Sequence, residues 1–282
     1  MNERALLIAH DGDTLPAILH APAAPRDLGV LIVVGGPQYR VGSHRQFVLL
    51  ARALCAAGYP VLRFDYAGMG DATGDARSFE QAGPDIRAAI DRFCDEAGLS
   101  RVVLWGLCDA ASASLFHAHG DARVAGLALA NPWVRTAASE ANAYLKHYYR
   151  QRLFSPAFWG KLLTGGFDWR ASLASLRGFW RQRRGARPEA ITPHTLSGSL
   201  PERMAQAWRA FPGPILLLLS GDDLTAREFL DVAGAPGPWS GLLSRPQVSR
   251  YDLPEANHTF SCQAWRDQVA ACTIAWLARL TS

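Results

Sequence analysis

A mostly parallel eight-stranded sheet flanked by helices is the fold this sequence predicts, and three observations predict it. Short, continuous apolar runs at residues 30–34 and 215–219 fit strands buried on both faces. Helical patterns separate these runs, the order that yields parallel strands joined by right-handed crossovers. One apolar run, residues 102–105, continues through Gly106-Leu107-Cys108-Asp109-Ala110 into a helix of small residues. Such a turn holds a strained residue at its centre and tolerates only small neighbours two positions to either side.

Each element can be justified in order. Residues 5–9 and 14–20 alternate around Asp11-Gly12-Asp13 as a hairpin does. Strand 30–34 follows and ends in Gly35-Gly36-Pro37. Phe47, Leu50, Ala51 and Leu54 recur at helical spacing in a helix 43–57, which Gly58 ends. Strand 61–65 leads through a Gly-rich turn to a helix 84–97. Strand 102–105, helix 108–119 and a sixth strand, 126–130, come next. Alternation then stops. Residues 134–212 read as helical, carry 13 Lys and Arg against 4 Asp and Glu, and hold 12 of the 28 aromatic residues. That compositional shift marks a separate unit, a helical lid inserted after strand six. Alternation resumes with strand 215–220, helix 226–232, strand 248–253 and a closing helix 262–280. The expected organisation is a core of residues 1–133 and 213–282 around a lid of residues 134–212.

The bulk numbers narrow the function classes. The 282 residues are 49% hydrophobic and 19% charged, which suits one globular domain with an insert. No apolar run approaches the roughly 20 residues that span a bilayer. Residues 1–4 lack the basic-then-apolar layout of a signal peptide. Five scattered cysteines without a Cys-x-x-Cys pair point to reduced thiols and a cytoplasmic location, and away from a disulfide frame. No His, Cys or Asp cluster has metal-ligand spacing, and no Gly-rich phosphate loop carries its Lys-Ser or Lys-Thr partner, so no cofactor is implied. The basic cluster at 181–187 recurs nowhere else, which argues against a nucleic-acid partner.

Cys108 is the residue the turn singles out. A side chain there projects from the carboxyl edge of the sheet over a helix N-terminus, where the helix dipole favours a thiolate. The surrounding strings carry a resemblance. Val33-Val34-Gly35-Gly36-Pro37-Gln38-Tyr39-Arg40-Val41-Gly42-Ser43-His44, Arg63-Phe64-Asp65-Tyr66-Ala67-Gly68-Met69-Gly70-Asp71, Gly106-Leu107-Cys108-Asp109-Ala110-Ala111-Ser112, Ser220-Gly221-Asp222-Asp223-Leu224-Thr225 and His258-Thr259-Phe260 span nearly the whole chain. Together they resemble the α/β-hydrolase superfamily, and in detail the exosortase A system-associated hydrolases of type 1. The resemblance implies a Gram-negative bacterium with an exopolysaccharide and protein-sorting locus, and hydrolysis of an ester or thioester. The chain departs from the superfamily's Gly-x-Ser-x-Gly elbow twice, with Cys108 for Ser and Ala110 for Gly. Dienelactone hydrolases, polyhydroxyalkanoate synthases and some carrier-protein thioesterases share the cysteine.

The superfamily order of nucleophile, acid and base assigns the remaining roles. His258, in the loop after the last strand, is the expected base. Asp222 and Asp223 both follow the preceding strand. Asp223 is preferred as the acid, because Asp222 lies beside the tight turn at Gly221 and is the expected cap of the next segment. The oxyanion donors are the backbone N–H of Asp109 and that of Gly36, with Gln38 as the alternative because Pro37 has no N–H. His44, Tyr148 and Arg150 are candidates for substrate contact.

Three functions fit these residues. A hydrolase would act on a small acyl ester or thioester, free or carrier-bound, through a Cys-His-Asp triad. An acyltransferase would use the same machinery, its basic, aromatic insert seating an acyl-carrier protein or coenzyme A. A binding protein on an inactivated fold is the third, and the complete set of nucleophile, acid and base speaks against it.

Overall fold

Strands β1 (Asn2–His10) and β2 (Asp13–Ala21) pair antiparallel, with His10 opposite Asp13. The computed structural model describes residues 2–35, 38–135 and 196–281. Asp11 and Gly12 take φ of 50° and 86° in the two-residue loop, the left-handed pair that matches the twist of a tight hairpin. The core continues with β3 (Leu28–Val33), α1 (Gln46–Ala56), β4 (Val61–Phe64), α2 (Gly83–Ala97), β5 (Arg101–Leu107), α3 (Asp109–Ala118) and β6 (Val124–Ala130). It closes with α4 (Leu200–Ala210), β7 (Ile215–Asp222), α5 (Leu224–Gly234), β8 (Val248–Asn257) and α6 (Gln263–Ala278).

The eight strands form one sheet in the order β1-β2-β4-β3-β5-β6-β7-β8. β2 runs antiparallel to both neighbours, and β4 to β8 are parallel with β3 among them. All six residues of β3 are buried, as its apolar run requires of a strand covered on both faces, and all four of β4 are buried too, Arg63 among them. Helices α1 and α6 pack together on a layer that includes Val30, Ile32, Phe47, Leu54, Trp105 and Trp276. Helix α3 packs with α2 and α4. After β3 the chain steps to one side, to β4, then crosses to the other side, to β5. β3 and β5 are therefore adjacent strands with diverging connections, and the crevice at their carboxyl ends is where open α/β sheets bind ligands.

Three expectations shift. Helix α1 begins at Gln46 instead of residue 43, because Ser43–Arg45 form a single 3-10 turn in which His44 and Arg45 have φ of 52° and 59°. Strands β7 and β8 run on past 220 and 253, to Asp222 and Asn257. The expected core boundary at residue 213 moves to 198, since α4 belongs to the core unit of Met1–Val134 and Gly198–Ser282. Its Trp208 is fully buried against Phe229 and Trp239, with ring centroids 6.3 and 5.4 Å away. The charge count hid this, because Arg203 and Arg209 point to exposed partners, Glu80 and the Pro238 carbonyl, while the opposite face of α4 is apolar. The second unit is Arg135–Ser197, and nearly all of the expected lid lies outside the described residues.

Two histidines are buried neutral. His20 Nε2 accepts from Arg63 Nε at 3.0 Å, which requires an unprotonated ring. Burial pushes its pKa down to about 4, Arg63 adds to the shift and Glu3 opposes it. Burial likewise pushes His117 down to about 4, with Asp121 opposing. As pH falls from about 6.5, the unfolded chain takes up these protons while the folded chain refuses them until about 4. Their contribution is complete above the unfolded value and is lost across that window, by at most roughly 3 kcal/mol per histidine. A urea midpoint near pH 4.5 is accordingly expected to lie well below that near pH 7, and His117→Asn is expected to flatten the difference.

Candidate active site

The turn after β5 is the strained point of the sheet edge. Cys108 has φ 64° and ψ −125°, a backbone conformation that costs a non-glycine residue about 1–3 kcal/mol. Long-range bonds hold it there. Its N–H donates to the Ala130 carbonyl at 2.9 Å, and its carbonyl accepts from Trp133 N–H at 3.2 Å. Gly106 is required by the same geometry, since a Cβ on it would sit 2.5 Å from the Ala110 carbonyl oxygen. Gly35, at the end of β3, lies against the first turn of α3, where a Cβ would sit 2.7 Å from Ala110 N. The loop after β3 thus approaches the elbow closely from the neighbouring strand.

That loop is anchored by charge. Buried Asp65, just past β4, accepts from Arg40 N–H at 2.6 Å and from Asp71 N–H at 3.1 Å, and it pairs with the Arg40 guanidinium. Arg40 also reaches Asp71 at 2.8 Å, and Arg63 donates to the Arg40 carbonyl. The Gln-Tyr-Arg segment is therefore clamped to the turn after β4. Gln38 Oε1 accepts from Ser43 N–H at 3.3 Å. Gly36 lies outside the described residues. Asp109 is the first residue of α3, where backbone amides have no intrahelical acceptor, and its carboxylate accepts from Ala110 N–H at 3.0 Å.

At the carboxyl end of β7, Asp223 Oδ2 stands 2.9 Å from His258 Nδ1. The Asp223 side chain is 6% exposed and that of His258 is 32% exposed. Asp223 also caps α5, accepting from Thr225 N–H at 3.1 Å and Ala226 N–H at 3.3 Å. The cap expected of Asp222 is therefore made by Asp223. Asp222 is still in β7, paired with Asn257, and its side chain is 79% exposed near Arg227. Of the proposed contact residues, His44 is exposed on the 3-10 turn, and Tyr148 and Arg150 lie outside the described residues.

The alpha/beta hydrolase family model matches residues 30–271. The chain belongs to this family. No curated protein matches the sequence well enough to count as a relative. Among solved structures, this α/β-hydrolase is similar to an esterase from Pyrococcus furiosus, at 14% identity and a TM-score of 0.66 over 100% of this chain and 94% of that one. It is similar to Est1E of Butyrivibrio proteoclasticus with ferulic acid bound, at 14% identity and a TM-score of 0.64 over 98% and 99%. It is also similar to the esterase domain of a Rhodothermus marinus protein, at 20% identity and a TM-score of 0.61 over 99% of each chain. At these identities the likeness is one of fold.

Sequence reasoning missed one group of this hydrolase's edge. Asn131, fully buried with φ 44°, accepts from Ser220 N–H at 2.8 Å and donates to Ser220 Oγ at 2.9 Å and to the His258 carbonyl at 3.4 Å. Ser220 Oγ in turn donates to the Asn257 carbonyl at 3.1 Å. These bonds tie the histidine loop to the end of β6, one residue past the Ala130 carbonyl that holds Cys108. The signal was available: a polar residue directly after an apolar strand and before Pro132. Among the described residues, no group of three His, Cys, Asp or Glu side chains could hold a metal ion, and no helix is long and apolar enough to cross a membrane.

Proposed function

We propose that this α/β-hydrolase cleaves an acyl ester or thioester through a covalent acyl-Cys108 intermediate. The observation that carries the reading is the elbow itself, a cysteine at φ 64° at the head of α3, on the same sheet edge as the Asp223–His258 pair. Strain of this kind persists where the surrounding contacts impose it, and it clusters at reacting groups.

The chemistry follows from the donor geometry. Asp223 accepts the Nδ1–H of His258 and leaves Nε2 as the base. Nε2 takes the Cys108 thiol proton as sulfur adds to the acyl carbon. The bond to the alcohol or thiol leaving group breaks, and His258 returns the proton to that group. Water then adds to the acyl-sulfur carbon, giving its proton to Nε2. The C–S bond breaks, the acid leaves, and the proton returns to sulfur. The Asp109 N–H, with that of Gly36 or Gln38, would hold the oxyanion in both steps, each donor contributing about 10²–10³ in rate. His44, Tyr148 and Arg150 would contact the substrate, and the insert would act as a lid.

The esterases among the structural relatives support the acyl-ester class. The motif strings support the finer placement among exosortase-associated hydrolases, working in the cytoplasm. The charge of the insert favours one second reading, transfer of the acyl group from an acidic carrier to an acceptor other than water. The test is intact-protein mass after incubation with a panel of acyl thioesters and activated esters. An acyl adduct on the wild type and none on Cys108→Ala is expected. No adduct and no turnover across the panel would overturn the reading. Diversion of the acyl group to added alcohols or amines would select transfer over hydrolysis.

A further inference from the structure

Asp223 holds His258 at one point, ring atom Nδ1. One hydrogen bond fixes a point and leaves a direction free, and a base must bring its other nitrogen to the group it serves. The backbone of the histidine must therefore be held as well. On the side of α6, Asn257 Nδ2 donates to Ser261 Oγ at 2.7 Å, and Ser261 N–H donates to Asn257 Oδ1 at 3.1 Å. Arg266 Nη1, from α6, donates to the Ser261 carbonyl at 2.7 Å. On the side of the sheet, Asn131 Nδ2 donates to the carbonyl of His258 itself.

Asn131 is also the chain neighbour of the elbow's anchor, the Ala130 carbonyl that accepts from Cys108 N–H. The ladder between β6 and β7 ends at this point, with Asn131 N–H on the Leu218 carbonyl at 3.0 Å. The backbone then turns away at φ 44°, a left-handed conformation that glycine and asparagine tolerate best. The side chain takes over from the ladder. Its Oδ1 accepts from Ser220 N–H, and the two protons of Nδ2 go to Ser220 Oγ and to the His258 carbonyl. Both ends of a fully buried amide are thus engaged. Glycine would serve the turn alone, so the amide is accounted for by what it joins.

We propose that Asn131 is a positioning residue for the base. It sets the separation of His258 Nε2 from the Cys108 sulfur by joining the elbow's anchor to the histidine's own carbonyl. The inference rests on the acyl-Cys108 reading and adds a residue to it. A displaced His258 is most damaging where it must hand a proton to a poor leaving group. An alkoxide must be protonated as it departs, whereas 4-nitrophenolate leaves without a proton.

The test compares two esters of one acid, 4-nitrophenyl butyrate and ethyl butyrate, on the full chain and on Asn131→Gly, which keeps the left-handed turn and removes the amide. The value of kcat/KM is expected to fall about tenfold for the 4-nitrophenyl ester and about a hundredfold or more for the ethyl ester. The loss should lie in kcat, with KM within about twofold of wild type. Asn131→Asp keeps an acceptor for Ser220 N–H but sets an oxygen against the His258 carbonyl. It is expected to widen the gap between the esters in the same way, and it serves in place of Asn131→Gly if that variant does not fold. Equal losses on the two esters, the mark of a smaller folded fraction, would overturn the proposal. Crystal structures of wild type and variant read the Sγ–Nε2 separation without any turnover. An increase of about half an ångström or more is expected, and an unchanged separation overturns the proposal even if Cys108 takes up acyl groups. An increased separation in a chain whose wild type forms no acyl adduct would count against the acyl-cysteine chemistry and leave the placement of His258 by Asn131 standing.

Discussion

Cys108→Ala is expected to lower kcat/KM for an activated acyl ester by about 10⁴-fold or more, the loss seen when a nucleophile acting with its base is removed. The fold should be untouched. The two backbone bonds that hold the elbow use the N–H and carbonyl of residue 108, and alanine keeps both. Residual turnover within an order of magnitude of wild type, with melting temperature unchanged, would remove Cys108 from the chemistry. Cys108→Ser separates two further possibilities. If the site is built around a base that serves oxygen as well as sulfur, serine retains measurable turnover, and its acyl adduct is a more stable ester in place of a thioester. If the site depends on a preformed thiolate, serine falls to the level of alanine, because its hydroxyl is far less acidic than a thiol.

Asp223→Asn is the second large effect, and it separates the two jobs of one carboxylate. Asparagine caps a helix about as well as aspartate, so the bonds to Thr225 N–H and Ala226 N–H survive and stability should change by only a few tenths of a kcal/mol. The anion facing His258 Nδ1 is lost. The ring can then take the wrong tautomer, and kcat should fall by about 10⁴-fold. Asp223→Ala should show the same catalytic loss together with about 1 kcal/mol of stability from the missing cap. Asp222→Asn, on the exposed neighbour, is expected to leave both readouts unchanged. Equal losses in Asp222→Asn and Asp223→Asn would contradict the geometry of the pair.

The sequence was most legible where packing alone determines structure. β3 and the apolar part of β7 are buried, and their apolar runs say so directly, whereas β4 is buried although Arg63 interrupts it. The elbow was legible because Gly106 and Cys108 answer a steric demand that leaves a spacing behind. What escaped depended on contacts distant in the chain or on backbone conformation. The start of α1 was missed because His44 and Arg45 adopt left-handed φ without a glycine to announce it. Helix α4 was assigned to the insert because its charged face dominates the count, while the buried face carrying Met204 and Trp208 shows only in packing. The choice between Asp222 and Asp223 turned on where β7 ends, and a strand end is a two-residue matter that composition does not resolve. Asn131 stood out only as a polar residue after an apolar strand, and its role stayed hidden because its partners lie 89 and 127 positions away.

The order of strands along the chain also sets an order in time. Cys108 is held by β6, whereas Asp223 and His258 follow β7 and β8, the last two strands added to the sheet edge. A nascent chain that has emerged only through residue 135 already contains the strands that bend the elbow, yet it contains neither Asp223 nor His258. During synthesis the strand contacts of the elbow are therefore complete before the Asp223–His258 pair leaves the ribosome. Alkylation of Cys108 would then report docking of β6, and recovery of turnover would report docking of β8, so two simple assays on one protein would time two closures on the same edge of the sheet.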